Sequence, residues 1–197
     1  LVDVTPGTRL VGASGGDDVF STLSIGCPAT YFGQTYTFAY VSSNGFLALG
    51  SNAGATAHLN GPLPSTATPN GVVAPFWDDL NPGAGGGVYV GLTGVAPNRT
   101  LHVEWHNVPH FTFSGSGTVT FELSLKENGD VRFQYLDTDF GNPNWNAGAS
   151  ATAGIERPDG VIARQLSFNQ AQLTNGRAVS CAYGAQPPPP PPVTVST

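Results

Sequence analysis

The chain has 197 residues, of which 40% are hydrophobic and only 10% charged, with a net charge of −6. That length suits one domain, or one domain and a tail, with enough apolar side chains for a sizeable core. Seven Lys and Arg residues in all supply neither the basic stripe that nucleic-acid phosphates require nor a patch for anionic lipid, so both partners are excluded.

No stretch approaches the ~20 apolar residues of a membrane span. The sequence contains no methionine. Residue 1 is therefore expected to be a processed or trimmed terminus, a removed signal peptide being the natural reading and a cut fragment the other. A surface built from Ser, Thr, Asn, Gln and Gly is of a kind common outside cells, so an extracellular location is expected.

Helical periodicity is nowhere evident. Short β-rich runs alternate with Gly, Pro, Asn and Asp. Strands are predicted at 19–25, 35–41, 46–49, 72–76, 88–91, 101–108, 118–125, 131–135, 151–155, 161–168 and 177–183. In the run 118–125, Val119, Phe121, Leu123 and Leu125 share one face. Asn128-Gly129 then gives a strong hairpin signal, and Val131, Phe133 and Tyr135 begin the return strand. Many short antiparallel strands with frequent turns indicate an all-β, antiparallel β-sandwich or jelly-roll-like fold.

Two long loops, 51–70 and 137–150, interrupt this pattern. Trp145 in the second is expected to pin the loop to the core. The domain is expected to span 1–184. A polyproline C-terminal tail covers 185–197, and its six prolines form a rod of roughly 19 Å at ~3.1 Å per residue. Val193, Thr194, Val195, Ser196 and Thr197 close the chain with high β-propensity. They are read as a linker or as a donor strand that adds to a sheet edge of a neighbouring copy, which repeated head to tail makes a filament.

Cys27 and Cys181 lie near opposite ends of the globular part. In an extracellular-looking chain they are expected to form one disulfide. The competing reading is two buried free thiols.

Four segments occur in order: Val41-Ser-Ser-Asn-Gly-Phe-Leu47, Val73-Ala-Pro-Phe-Trp-Asp-Asp79, Val103-Glu-Trp-His-Asn-Val-Pro-His110 and Phe133-Gln-Tyr-Leu-Asp137. Together they resemble a bacterial extracellular β-sandwich domain of large surface and secreted proteins, similar in its Ala-Pro-Phe-Trp signature to the NIDO domain of nidogen and tectorin. The resemblance covers about residues 17–183. It implies an extracellular, non-enzymatic module of adhesion or matrix architecture, and it implies no particular ligand.

Several clusters could carry chemistry. His102, Glu104 and His106 share one strand face. His102 and His106 stand too far apart along a strand to share an ion, so the trio is read as the outward polar face of a strand whose other face is Leu101, Val103 and Trp105. Asp78, Asp79, Asp137 and Asp139 are candidate ligands for structural calcium, since alternating loop carboxylates suit a hard cation. Loop capping by Asp and Asn is the competing reading. Glu156, before Arg157, is expected to pair with an arginine. No nucleophile elbow or phosphate-cradling motif is present, so an enzyme is not expected and no cofactor is required. Asn98 heads the Asn-Arg-Thr glycosylation sequon.

The expected function is a non-catalytic extracellular structural or adhesion module, partnered by copies of itself or by adjacent domains. The alternative is an accessory domain of a secreted hydrolase, binding carbohydrate or matrix. Tyr31, Phe111, Phe113 and Trp145 are its candidate aromatics.

Overall fold

A computed structural model describes residues 1–112 and 117–181, apart from the side chain of Val11. The tail residues Val193 to Thr197, and Phe113, lie outside the described residues. Among the described residues twelve strands run β1 Thr8–Arg9, β2 Phe20–Tyr31, β3 Gln34–Ser42, β4 Leu47–Ala48, β5 Val72–Trp77, β6 Gly87–Thr93, β7 Thr100–Val108, β8 Val119–Lys126, β9 Val131–Asp137, β10 Thr152–Glu156, β11 Ala163–Phe168 and β12 Ala178–Cys181. One turn of helix, α1 Val11–Ser14, joins β1 to β2.

The strands form two six-stranded antiparallel sheets. The front sheet has the order β1-β6-β7-β8-β9-β12 and the back sheet β11-β10-β5-β4-β3-β2. All eleven strands expected from sequence are present, so the β-sandwich is the fold. Thr8–Arg9 escapes sequence reading because two residues cannot show a period. They are extended because they pair with Val90 and Tyr89 of β6.

Alternation places Leu101, Val103 and Trp105 of β7 and Val119, Phe121, Leu123 and Leu125 of β8 between the sheets, each at most 3% exposed. Phe121 stacks on Trp105 at 5.1 Å and on Phe76 of the back sheet at 5.3 Å. Burial of each such aromatic is worth ~1.5–3 kcal/mol. Two hydrogen bonds set how the sheets lie over one another. Trp105 Nε1 of β7 donates to the Ser42 carbonyl of β3, and the Tyr135 hydroxyl of β9 donates to the Pro75 carbonyl of β5. Desolvation pushes the hydroxyl of that tyrosine well above its ordinary value, so it stays a donor. The β8–β9 hairpin turns at Asn128-Gly129, where Gly129 takes φ +87°. A Cβ there would lie 1.9 Å from the Thr30 carbonyl oxygen.

Part of each outer face is covered, which alternation alone does not reveal. Under the loop between β4 and β5, Phe46, Ala48, Leu63, Val72, Ala74 and Trp77 form a second apolar cluster. Over the front sheet lies the N-terminal segment. The amide of Val2 donates to Glu122 Oε2 at 2.9 Å and that of Val4 to Glu104 Oε2 at 3.3 Å. Glu104 and Glu122 are consequently 1% and 0% exposed. They occupy the outer face, as expected, yet they do not meet solvent.

The expected disulfide is absent: Cys27 and Cys181 are both buried free thiols. Cys27 has Glu127 and Arg99 for charged neighbours, and Cys181 has Arg164. Burial raises both thiols above their ordinary value.

Candidate functional site

At one end of the sandwich the β3–β4 turn, the exit of β5 and the residues after β7 meet. The turn Ser42-Ser-Asn-Gly45 is fully interior, with Ser42, Ser43 and Asn44 at 0% exposure. Buried polar groups must be bonded, and each of these is. Asn44 Oδ1 accepts from the Leu80 amide at 3.0 Å, while Asn44 Nδ2 donates to Asp18 Oδ1 at 2.9 Å. Ser43 Oγ accepts from the Val19 amide. The Asp78 amide donates to the Asn44 carbonyl. This turn therefore joins the entry of β2 to the exit of β5.

Every residue of β5 is buried, and the chain leaves it through Asp78 and Asp79. Asp78 is 4% exposed. Its Oδ2 accepts from Ser150 Oγ at 2.5 Å, and its Oδ1 from the Asp79 amide at 3.0 Å. His110 Nε2 stands 3.5 Å from Asp78 Oδ1. His110 Nδ1 accepts from the Thr112 amide, so Nε2 carries the proton that faces Asp78. The His110 ring stacks on Trp145, with centroids 4.4 Å apart and planes at 13°. Trp145 also packs against the main core and pins its loop, as expected.

A shallow groove opens here, lined by His58, Leu59, Asn60, Asp78, Asp79, His110, Trp145 and Asn169 among others. Leu59, at its mouth, is 77% exposed. Asn60 Nδ2 donates to Thr152 Oγ1 and Asn169 Oδ1, which anchors the long loop to β10. Phe111 is 52% exposed, and its amide donates to the Asp79 carbonyl.

The expected calcium set is not brought together. Asp137 Oδ1 accepts from the Asp139 amide and Asn175 Nδ2, and Asp139 Oδ1 from the Gly141 amide and Asn146 Nδ2. Asp139 caps its own loop, and Asp137 also ties that loop to the one between β11 and β12. Asp78 turns to Ser150 and His110. Asp79 instead meets Asp17 and Asp18, with one carboxylate oxygen of each within 4.8 Å of the others. Among the described residues, these three bring carboxylate oxygens close enough together to suit a divalent cation. Burial first, then repulsion from Asp18, raises Asp17 above the usual carboxylate range. Burial raises Asp79, opposed by His58 and aided by Asp17 and Asp18. His58 Nδ1 lies 3.2 Å from Asp18 Oδ2. Sequence reasoning missed Asp17 and Asp18. The adjacent pair was visible, but its approach to Asp79 depends on the Asn44 turn.

The remaining sites are dispersed. His102 and His106 each pair with a different glutamate: His102 Nδ1 lies 3.0 Å from Glu122 Oε1, and His106 Nδ1 lies 2.8 Å from Glu104 Oε1. Glu156 does not pair with an arginine. It is 0% exposed, its Oε1 accepts from the Ser65 amide, and Arg157 turns to Asp159. Glu127 binds Arg99 at 2.6 Å, which holds its carboxyl below the usual range. Asn98 is exposed in the turn between β6 and β7. Tyr31 is 1% exposed and donates to the Val72 and Glu156 carbonyls, so it presents no binding surface.

A family model described as NIDO related matches residues 1–185. Neither a curated protein nor a solved structure matches the chain.

Proposed function

From the premise that the chain belongs to the NIDO-related family, we propose that it is a non-catalytic adhesion module of an extracellular protein, making its contacts through the groove at the Asn44 end. The observation that carries this reading is the division of labour at that end. Asn44, Asp78 and His110 are buried and committed to holding three chain segments together. Leu59 and Phe111 stand out into solvent on that rigid base. Contact residues presented by loops on a fixed scaffold are a usual recognition arrangement.

Carbohydrate is the alternative ligand, favoured by a specific feature. The carboxylates of Asp78 and Asp79 and the carboxamides of Asn60 and Asn169 share the groove with the His110 and Trp145 rings. Such groups offer hydrogen bonds to hydroxyls beside apolar ring faces.

The test uses the whole chain against immobilised matrix glycoproteins and a glycan array. Leu59→Ala removes an exposed side chain and should leave stability within ~0.5 kcal/mol. Retention on a matrix protein that Leu59→Ala weakens supports adhesion through the groove. Retention on a defined glycan supports the alternative. Binding to neither, or binding that Leu59→Ala leaves intact, overturns the assignment of the groove.

A further inference from the structure

A second arrangement lies on the outer face of the front sheet, at the opposite end of β7 from the groove. The antiparallel register pairs Gly91 with His102 and Thr93 with Thr100. Thr93, on the last residue of β6, is therefore a diagonal neighbour of His102. Its Oγ1 lies 2.9 Å from His102 Nε2. On the other side of the same ring, Nδ1 lies 3.0 Å from Glu122 Oε1. Glu122 sits on β8 and is 0% exposed, while Thr93 is exposed.

The protonation pattern follows from Glu122. Its Oε1 also accepts from Ser124 Oγ at 2.8 Å and Gln134 Nε2 at 3.2 Å, and its Oε2 from the Val2 amide at 2.9 Å. Although burial opposes the charge, the bonds from His102 and Ser124 hold this carboxyl below the usual range, so it is ionised at neutral pH. An ionised carboxylate accepts only, so His102 Nδ1 carries a proton directed at it. In the tautomer with that proton on Nδ1, the Nε2 lone pair faces the Thr93 hydroxyl, which donates to it. Hydroxyl, imidazole and carboxylate are thus joined in the order that activates a nucleophile, with the base in turn oriented by a buried acid.

We propose that Thr93 is an activated acyl-acceptor hydroxyl, with His102 its general base and Glu122 the positioning residue. This goes beyond the groove reading and does not rest on it. The substrate class is an ester of an activated carboxylic acid. Thr93 Oγ1 attacks the acyl carbon and forms the new C–O bond. The C–O bond to the leaving group breaks with its electron pair. The Thr93 proton passes to His102 Nε2 and then to solvent or the leaving group. The product is a chain esterified at Thr93, a single-turnover modification.

The probe is p-nitrophenyl acetate with the full chain. The expected result is one equivalent of p-nitrophenolate per chain, with an acetyl group mapped to Thr93 by peptide mass spectrometry. Thr93→Val abolishes it; the residue is exposed, so the fold is kept. His102→Gln lowers the rate by about 10²–10⁴-fold, the range of general-base contributions. Glu122→Gln lowers it, and Glu122→Asp restores part of it, which a merely structural role does not predict. An unmodified Thr93, an acetyl group found only on another residue such as Lys126, or acetylation that persists in Thr93→Val overturns the proposal.

Discussion

Replacing Gly45 by alanine isolates what the Asn44 turn contributes. Gly45 has φ +77°, and a Cβ there would stand 1.9 Å from the Phe76 carbonyl oxygen. Two comparisons separate the effects. Gly176 has φ +78° with nothing within 4 Å of its Cβ position, so Gly176→Ala reports backbone strain alone. That strain costs about 1–2 kcal/mol. Gly61 has neither a positive φ nor a neighbour within 4 Å, so Gly61→Ala should be neutral or stabilise by up to ~1 kcal/mol. At Gly45 the strain is joined by a displacement of more than 1 Å, roughly, since real Cβ contacts under 3.0 Å are essentially never seen. The bonds there run from the Phe76 amide to the Gly45 carbonyl, the Asp78 amide to the Asn44 carbonyl and the Leu80 amide to Asn44 Oδ1. Loosening two or three of them at ~1 kcal/mol each brings the total to about 3–5 kcal/mol. That corresponds to a fall in Tm of roughly 10 °C for a domain of this size. Urea unfolding followed by circular dichroism measures it, read as a shift in midpoint at constant slope. If Gly45→Ala costs no more than Gly176→Ala, the close approach to Phe76 is not what requires glycine.

Because Cys27 and Cys181 are free and buried, reductant should leave the Tm unchanged. Iodoacetamide should label neither until denaturant is added, and rapid labelling of the native protein would refute their burial. Asp79 titrates above the ordinary carboxylate value in the fold. A raised group favours folding below its unfolded pKa and loses that contribution as pH rises through its folded pKa. Ionised Asp79 is thus unfavourable at neutral pH, and Asp79→Asn in chelator-treated protein should raise the Tm at pH 7 by more than at pH 3; equal gains would refute the cause. Phe121→Ala removes a ring stacked on both Trp105 and Phe76 and should cost about 3–5 kcal/mol in the same urea assay.

The strands were legible because their pattern is local. Val119, Phe121, Leu123 and Leu125 alternate with polar residues, and the Asn128-Gly129 turn fixes the hairpin register. The outer faces were not legible for a related reason. Glu104, Glu122 and His102 read as solvent-facing because they alternate with core residues. What buries them is a segment about 100 residues away, through amides that carry no sequence signal. The same limit explains Cys27 and Cys181. Their separation along the chain says nothing about which margins of the two sheets they occupy.

The acidic positions show why residue type gives a ligand set less reliably than it gives a strand. Asp137 and Asp139 have the alternation a cation loop needs, yet every oxygen contact they make is to an amide of their own or an adjacent loop. Asp78 and Asp79 are adjacent in sequence but leave an extended strand in opposite directions, so one turns to His110 and the other to Asp17 and Asp18. Which carboxylates converge is decided by Asn44, whose carboxamide holds Asp18 with one atom and the Leu80 amide with the other. The Ser-Ser-Asn-Gly and Ala-Pro-Phe-Trp-Asp-Asp segments accordingly act first as a joint. Leu59, the exposed residue of the groove that the proposed contact uses, lies in the long loop outside those segments.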